Sequence, residues 1–173
     1  MDVEYAGNCS HLIDFDNLLK HLENTTPDAI GPTASSDDAD IKEVTDLWNN
    51  LGYKIASLGG TVEWKMYFPN KGFAEDIVNT ITNYANIKYN TAWVSRVDPG
   101  YCVAPHFDRM PKDVVPYRAH VHITDAQIGH IFYVGDTYMT NYKKGDIFIW
   151  KDPNAWHAGS NIGRTNKYML NLY

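Results

Sequence analysis

The sequence contains little of what several common classes of protein require. It has two cysteines, Cys9 and Cys102, far apart in the chain. Two isolated cysteines supply neither a disulfide framework nor a thiolate zinc site, and they fit a reducing compartment. No run of apolar residues approaches the length of about 18 that a membrane-spanning helix needs. The N-terminal residues include acids where a secretory signal would carry Lys or Arg, so we expect a cytoplasmic protein without a membrane partner.

Positive charge is also scarce. The chain has 15 Lys and Arg against 21 Asp and Glu, which gives a formal net charge of -6. Binding to nucleic acid requires clustered cations to neutralise phosphates, and the sequence contains no basic stripe. We therefore expect no nucleic-acid partner, and composition leaves the oligomeric state open.

The chain has the length and apolar content of one domain, spanning residues 1–173. Its 173 residues are 44% hydrophobic, enough for a full core. In the first part, 1–90, three apolar stripes at helical spacing begin at Ile13, Ile41 and Phe73 and predict a mostly helical region. A Pro-, Ser- and Asp-rich stretch at 25–39 predicts a loop, and 61–68 predicts a strand.

The second part, 91–173, has a different pattern of short runs separated by turn signals. Aromatic residues, 13% of the chain, are frequent there, and they favour sheet structure. The runs predict about eight strands, at 91–97, 101–108, 117–123, 130–134, 137–140, 146–150, 155–160 and 166–172. Eight short strands are typical of a jelly roll. The expected fold is mainly β, a cupin-like double-stranded β-helix core with the N-terminal helices packed on one sheet.

A candidate metal site follows from three residues in this second part. His106 and Asp108 are two positions apart, so in an extended strand their side chains point to the same side. His157 lies 51 residues further on. Two histidines and one carboxylate on one face of a metal form the facial triad of non-haem Fe(II) oxygenases, which leaves positions open. A His-x-Asp pair alone also occurs by chance, so the prediction depends on His157 and the β context.

Polar residues on one strand predict an anion pocket beside this site. Arg118 and His120 alternate with small apolar residues, so we expect both to face the interior between the sheets. A buried Arg is costly unless an anion meets it. A dicarboxylate ligand would supply that anion; an internal salt bridge to Asp108 or Asp146 is the alternative, and the two do not exclude each other.

A second cation is expected on the last strand. Lys167 has the opposite parity to the apolar Tyr168, Leu170 and Leu172, and so should point into the pocket. A buried Lys can hold a carboxylate through a charge-assisted hydrogen bond. Arg164 is the competing candidate, although its Asn-Ile-Gly-Arg context is typical of a solvated turn.

The segment from Ser95 to Tyr173 resembles the aspartyl/asparaginyl β-hydroxylase branch of the 2-oxoglutarate oxygenases. The matching features are Ser95, Pro99-Gly100, Pro105-His106, Arg118-x-His120, Gly145 and a basic residue ten positions after His157. By this resemblance Ser95 and Lys167 would bind the distal carboxylate of 2-oxoglutarate, and Arg118 and His120 the end that chelates iron. The mammalian β-hydroxylases have Gly at the position of Asp108 and Arg at that of Lys167, whereas prolyl hydroxylases share the His-x-Asp, His and Lys set.

The resemblance implies an Fe(II)- and 2-oxoglutarate-dependent dioxygenase. Its partners would be O₂ and an amino acid, free or within a peptide, that it hydroxylates. Two other functions use the same residues differently. One is a cupin-like hydrolase or isomerase that holds zinc or manganese without 2-oxoglutarate. The other is a non-catalytic jelly-roll binding protein in which the three residues meet by chance.

Overall fold

The computed structural model describes residues 3–31, 39–53, 62–69, 75–108 and 117–173. Three helices and eleven strands occur in these ranges. The helices are α1 (Phe15–Asn24), α2 (Ala39–Asn50) and α3 (Glu75–Ala85). The strands are β1 (Val3–Asn8), β2 (Ala29–Gly31), β3 (Trp64–Tyr67), β4 (Ala92–Val97), β5 (Tyr101–His106), β6 (Arg118–His122), β7 (His130–Val134), β8 (Thr137–Met139), β9 (Asp146–Trp150), β10 (His157–Asn161) and β11 (Lys167–Leu172).

The strands form two antiparallel sheets. The larger sheet has the order β1-β9-β6-β11-β4-β3-β2, and the smaller has the order β5-β10-β7-β8. All eight strands predicted after residue 90 are present, which confirms the mainly β fold. Among the described residues, no helix is both long and apolar enough to cross a membrane.

Strand parity in β11 determines which side chains face the interior between the sheets. Tyr168, Leu170 and Leu172 join the main apolar cluster together with residues of α1 and α3. Lys167, Met169 and Asn171 line the interior pocket instead. Because side chains alternate across a strand, one face of β11 packs against helices and the other serves the pocket. This division confirms the parity predicted from the sequence.

Helices α1 and α3 cover the outer face of the larger sheet, as predicted. Helix α1 begins where the Asp14 carboxylate accepts a hydrogen bond from the Asn17 backbone N–H at 3.0 Å, an N-cap that satisfies an otherwise free donor. Phe15, Leu18 and Leu22 on its inner side are buried in the main cluster. Helix α2 differs from this expectation, because Trp48 packs in a separate small cluster with Val62 and Ala104 beside β5.

The expectation of a mostly helical first part missed two strands. Strand β1 pairs with β9 and extends one edge of the larger sheet, and β2 pairs with β3 at the other edge. Strand β2 falls within the stretch 25–39 that was predicted to be a loop. An edge strand has a neighbouring strand on only one side, so its side chains are more exposed to solvent than those of a central strand. Its sequence therefore shows a weaker apolar pattern.

Leu170 provides a test of the core between the larger sheet and the helices. Its side chain is fully buried in the main cluster. We expect Leu170→Ala to lower the free energy of unfolding by about 2–5 kcal/mol, because the cavity adds to the lost transfer energy. Chemical denaturation measures this, with Leu12→Ala as control because Leu12 is 44% exposed. Equal effects of the two substitutions would contradict this packing.

Candidate metal centre and ligand pocket

The three predicted ligand side chains converge at one end of the space between the sheets. His106 is the last residue of β5 and His157 the first of β10, and the two are paired across these strands. Their imidazole ring centroids are 4.2 Å apart. Strand β5 ends at His106 and not at residue 108 as predicted, so Asp108 lies just beyond the strand. It still turns towards the histidines.

Backbone carbonyls fix the orientation of both imidazoles. His106 Nδ1 lies 2.8 Å from the Ala104 carbonyl oxygen, and His157 Nδ1 lies 2.9 Å from that of Ala155. A carbonyl can only accept, so each Nδ1 carries the proton and each Nε2 keeps its lone pair. Burial, the largest cause, lowers the pKa of both histidines, which keeps them neutral as metal ligands must be.

The candidate ligand atoms of these side chains are close enough to bind one ion. His157 Nε2 is 3.5 Å from Asp108 Oδ2, and His106 Nε2 is 3.9 Å from Asp108 Oδ1. One candidate ligand atom from each of the three residues lies within 4.8 Å of the others. Two neutral nitrogens and one carboxylate form a donor set suited to Fe(II) with further coordination positions open. The residues therefore fit such an ion.

Arg118 lies against this cluster, at the start of β6. Its Nη1 donates a hydrogen bond to Asp108 Oδ2 and lies 3.2 Å from His157 Nε2. The guanidinium also stacks on the Tyr173 ring, with Cζ 3.7 Å from the ring centroid. Burial lowers its pKa to about 10, so the side chain remains cationic at neutral pH. Of the two salt-bridge partners considered from the sequence, Asp108 is the one it binds.

Lys167 crosses the interior from the larger sheet to the smaller one. Its ammonium group donates to the Ile131 carbonyl oxygen of β7. The group passes beside Gly159, where an added Cβ would lie 3.2 Å from Nζ. The side chain is 1% exposed, and within the described ranges no carboxylate forms an ion pair with it. Burial lowers its pKa to about 7.

Two residues near Lys167 complete the polar side of the pocket. Ser95 on β4 donates weakly to the Met169 carbonyl oxygen at 3.4 Å. Asn171, which was not predicted as a site residue, donates to Ser95 Oγ at 2.7 Å and so orients the hydroxyl. Its shared parity with Lys167 was the available signal in the sequence.

His120 contributes two ring nitrogens without hydrogen-bond partners. The side chain is fully buried, and both nitrogens lack partners among the residues that the structure covers. Its ring contacts Phe132 and Trp150, each with centroids 4.5 Å apart. Burial holds its pKa well below the usual value. Unpaired buried polar atoms are costly, so a ligand or water is expected to meet them.

The pocket that joins these side chains has a volume of about 150 Å³. It contains the three candidate metal ligands, Arg118, His120 and Lys167, and its other walls are largely apolar. Aromatic and thioether side chains that line it are Trp64, Met66, Trp93, Phe132, Met169 and Tyr173. Such a site is concave and mostly apolar with a few converging polar groups, as in small-molecule pockets.

Arg164 and two further histidines of the β region have other surroundings. Arg164 is exposed in the turn between β10 and β11, so geometry does not favour it as a pocket cation. His130 has a structural contact, because its Nε2 lies 3.0 Å from the Thr165 carbonyl oxygen. His122 stacks on Tyr142 at a centroid distance of 3.5 Å. The segment 109–116, which follows Asp108 in the sequence, lies outside the described residues.

No family model matches this sequence, and no curated protein matches it. Similar solved structures exist. The two antiparallel sheets of this chain form a double-stranded β-helix. A Pseudomonas putida prolyl-4-hydroxylase is 14% identical, with a TM-score of 0.47, over 63% of this chain and 68% of that chain.

Two further solved structures are similar to part of this chain. The collagen prolyl hydroxylase of Paramecium bursaria Chlorella virus-1, in a 2OG complex, is 20% identical, with a TM-score of 0.43, over 63% of this chain and 76% of that one. A Thermotoga maritima protein described as a predicted oxalate decarboxylase is 16% identical, with a TM-score of 0.40, over 64% and 78%. At such low sequence identities, a structural likeness carries no information about function. None of the three is an aspartyl/asparaginyl β-hydroxylase. The resemblance of residues 95–173 to that branch therefore stays a prediction from the sequence.

Proposed function

We propose that this chain is an Fe(II)- and 2-oxoglutarate-dependent dioxygenase. His106, Asp108 and His157 would hold the iron, and Lys167, Ser95, Arg118 and His120 would bind 2-oxoglutarate. With O₂, this pair of cofactors supplies the oxidising power to hydroxylate an unactivated C–H bond. The expected substrate is an amino acid, free or in a peptide, as the sequence resemblance implies.

The observation that carries the proposal is the buried ammonium of Lys167. A buried cation without an anion is strongly disfavoured, and its lowered pKa expresses that cost. A ligand carboxylate that pairs with the ammonium would explain why the chain buries this cation. A dianionic co-substrate supplies this carboxylate, whereas neutral cupin ligands do not.

The spacing between Lys167 and the histidines also suits a short dicarboxylate. Lys167 Nζ lies beside Gly159, and His157 is two residues away on the same face of β10. Two residues of a strand span about 7 Å. One carboxylate of a five-carbon dicarboxylate can therefore reach the ammonium while the other end lies near the metal ligands.

The remaining residues have roles that follow from their positions. Arg118 offers a positive charge beside Asp108 and His157, where the metal-chelating end of the co-substrate would lie. Asn171 holds the Ser95 hydroxyl in the pocket, and His120 offers ring nitrogens without other partners. The aromatic walls exclude water, which strengthens each of these electrostatic interactions.

A hydrolase or isomerase with the same three metal ligands is the second candidate function. It is favoured by the His-Asp-His cluster alone, since zinc or manganese could bind there. It gives no reason for burying Lys167. A non-catalytic binding protein likewise leaves unexplained why both imidazoles direct Nε2 at one carboxylate.

Gly159 tests the position of the distal carboxylate. In Gly159→Ala the new Cβ would lie 3.2 Å from Lys167 Nζ, so the ammonium must move. We expect the affinity for 2-oxoglutarate to fall roughly tenfold, which corresponds to a loss of about 1.4 kcal/mol of binding free energy. The affinity for the metal should not change. Calorimetric titration measures both. Ser160→Ala is the matched control, because side chains alternate along β10 and Ser160 points to the side opposite Gly159. Unchanged 2-oxoglutarate affinity in Gly159→Ala would contradict the assignment.

Succinate formation tests the reaction class. The purified protein, supplied with Fe(II), O₂ and 2-oxoglutarate, is screened against free amino acids and short peptides. We expect succinate to form in step with hydroxylated product, and formation to require all three components. Turnover of a substrate with zinc or manganese in the absence of 2-oxoglutarate would instead favour the hydrolase or isomerase.

A further inference from the structure

Arg118 occupies atoms that a metal would need. Its Nη1 donates to Asp108 Oδ2 and lies 3.2 Å from His157 Nε2. That Nε2 must be the acceptor, because His157 Nδ1 carries the proton directed at the Ala155 carbonyl oxygen. One guanidinium nitrogen therefore uses acceptor atoms of two of the three candidate metal ligands.

The two bonds differ in whether they can coexist with a metal. Asp108 has a second oxygen, Oδ1, that is 3.9 Å from His106 Nε2. A neutral imidazole has one lone pair, so His157 Nε2 accepts from Arg118 or binds a metal but cannot do both. Metal binding at the cluster thus requires Arg118 to release His157.

A released Arg118 needs another anion. The side chain is 1% exposed, and within the described part of the chain its Nε has no hydrogen-bond partner. Besides Asp108 and His157, Nη1 has only a marginal acceptor among the described residues, the Pro153 carbonyl oxygen at 3.5 Å. The Tyr173 ring, 3.7 Å below Cζ, allows the planar group to shift while it remains stacked. A carboxylate in the adjoining pocket would satisfy it.

We propose that Arg118 competes with the metal for His157 and Asp108, and that a carboxylate of 2-oxoglutarate draws Arg118 away. The inference rests on the function proposed above and adds to it a coupling between the two ligands. Each ligand then increases the affinity of the other, since equilibrium coupling is reciprocal. Arg118 acts as a positioning residue that links the metal to the co-substrate.

Cobalt titrations test this coupling without any turnover. Co(II) binding is followed by visible absorption and calorimetry, with and without 2-oxoglutarate, for the wild-type protein, Arg118→Met and Arg96→Met. Arg96 is a matched control because it pairs with Asp98 away from the pocket. Without 2-oxoglutarate, we expect Arg118→Met to bind Co(II) about 10- to 100-fold more tightly than wild type, because no charge-assisted hydrogen bond must break. The tightening that 2-oxoglutarate causes should be larger in wild type than in the variant.

The outcomes separate this inference from the proposed function. Equal Co(II) affinities in wild type and Arg118→Met, or an equal effect of 2-oxoglutarate on both, would overturn the competition. Simple charge repulsion, for example, predicts tighter binding with an unchanged effect of 2-oxoglutarate. If the wild-type protein binds no Co(II), or if the His157→Ala variant binds Co(II) as tightly as the wild type, the proposed metal site is wrong.

A measurement on the wild-type protein covers the case in which Arg118→Met does not fold. Nitrogen-15 NMR follows the arginine side chains during addition of Zn(II) and then 2-oxoglutarate. We expect one arginine signal to shift with the metal and again with the co-substrate. If no arginine signal shifts when Zn(II) is added, the proposed competition between Arg118 and the metal is wrong.

Discussion

His157→Ala is expected to abolish stoichiometric iron binding and to reduce any succinate formation by more than about 1,000-fold. The substitution removes one of three ligand atoms that meet where β5 ends and β10 begins. The bond from His157 Nδ1 to the Ala155 carbonyl oxygen directs Nε2 at the other two ligands, so the substitution removes a ligand atom that is already oriented for the metal. Iron content after dialysis, measured by elemental analysis, checks the first part.

The matched control for this experiment is His130→Ala. His130 is also buried in a strand of the smaller sheet, but its Nε2 contacts the Thr165 carbonyl oxygen and not the cluster. It should keep one iron per chain. Retention of one iron by His157→Ala, or its loss from His130→Ala at equal stability, would show that the assigned ligands are wrong.

Lys167→Met is expected to weaken 2-oxoglutarate binding by about 100-fold or more. The ammonium is buried, so its bond to a carboxylate would form without competition from water, and removing one partner of such a pair costs about 3 kcal/mol. Methionine matches the chain length of lysine without the charge. Iron binding should be retained, because Lys167 does not contact the three ligand residues. Calorimetry on the iron-loaded protein measures the affinity.

The same substitution should stabilise the protein when no co-substrate is present. The pKa of Lys167 is about 7 in the folded chain, against 10.5 as its ordinary value, so the folded state disfavours the charged form. This cost is fully present below pH 7 and disappears as the pH rises from 7 towards 10.5. Lys167→Met should therefore raise the free energy of unfolding by about 1–4 kcal/mol near pH 6, and by progressively less at higher pH.

Lys144→Met is the control for both effects. Lys144 lies at the surface, where it pairs with the fully exposed Asp16, and solvent screens the attraction between such charges. Lys144→Met should change neither the affinity for 2-oxoglutarate nor the dependence of the free energy of unfolding on pH between pH 6 and 10.5. A Lys167→Met protein that binds 2-oxoglutarate as wild type does would remove the main support for a dicarboxylate ligand.

The sequence was sufficient to predict the β core and the inward faces of its strands. The alternation in β6 and β11 assigned Arg118, His120 and Lys167 to the interior, since burial on one face forces a period of two. The pair His106 and His157 could be predicted to meet because a double-stranded β-helix brings distant strands together. The sequence also favoured Lys167 over Arg164, and the turn position of Arg164 agrees with that choice.

Other features depended on long-range contacts that no local pattern encodes. Strand β1 was missed because its pairing with β9 joins residues more than 130 positions apart. The end of β5 at His106 was missed because the turn of Asp108 towards Arg118 follows from a tertiary ion pair. Asn171 and Tyr173 gain their importance only from the Ser95 hydroxyl and the Arg118 guanidinium beside them.

The visible spectrum of the protein with Fe(II) and 2-oxoglutarate under anaerobic conditions tests the proposed function most directly. Chelation of the iron by the co-substrate at this site predicts a weak charge-transfer band that neither Fe(II) nor 2-oxoglutarate produces alone. The band should be lost in His157→Ala, and in Lys167→Met it should require at least about 100-fold more 2-oxoglutarate. Absence of the band from wild-type protein that holds one iron per chain would contradict the proposed function.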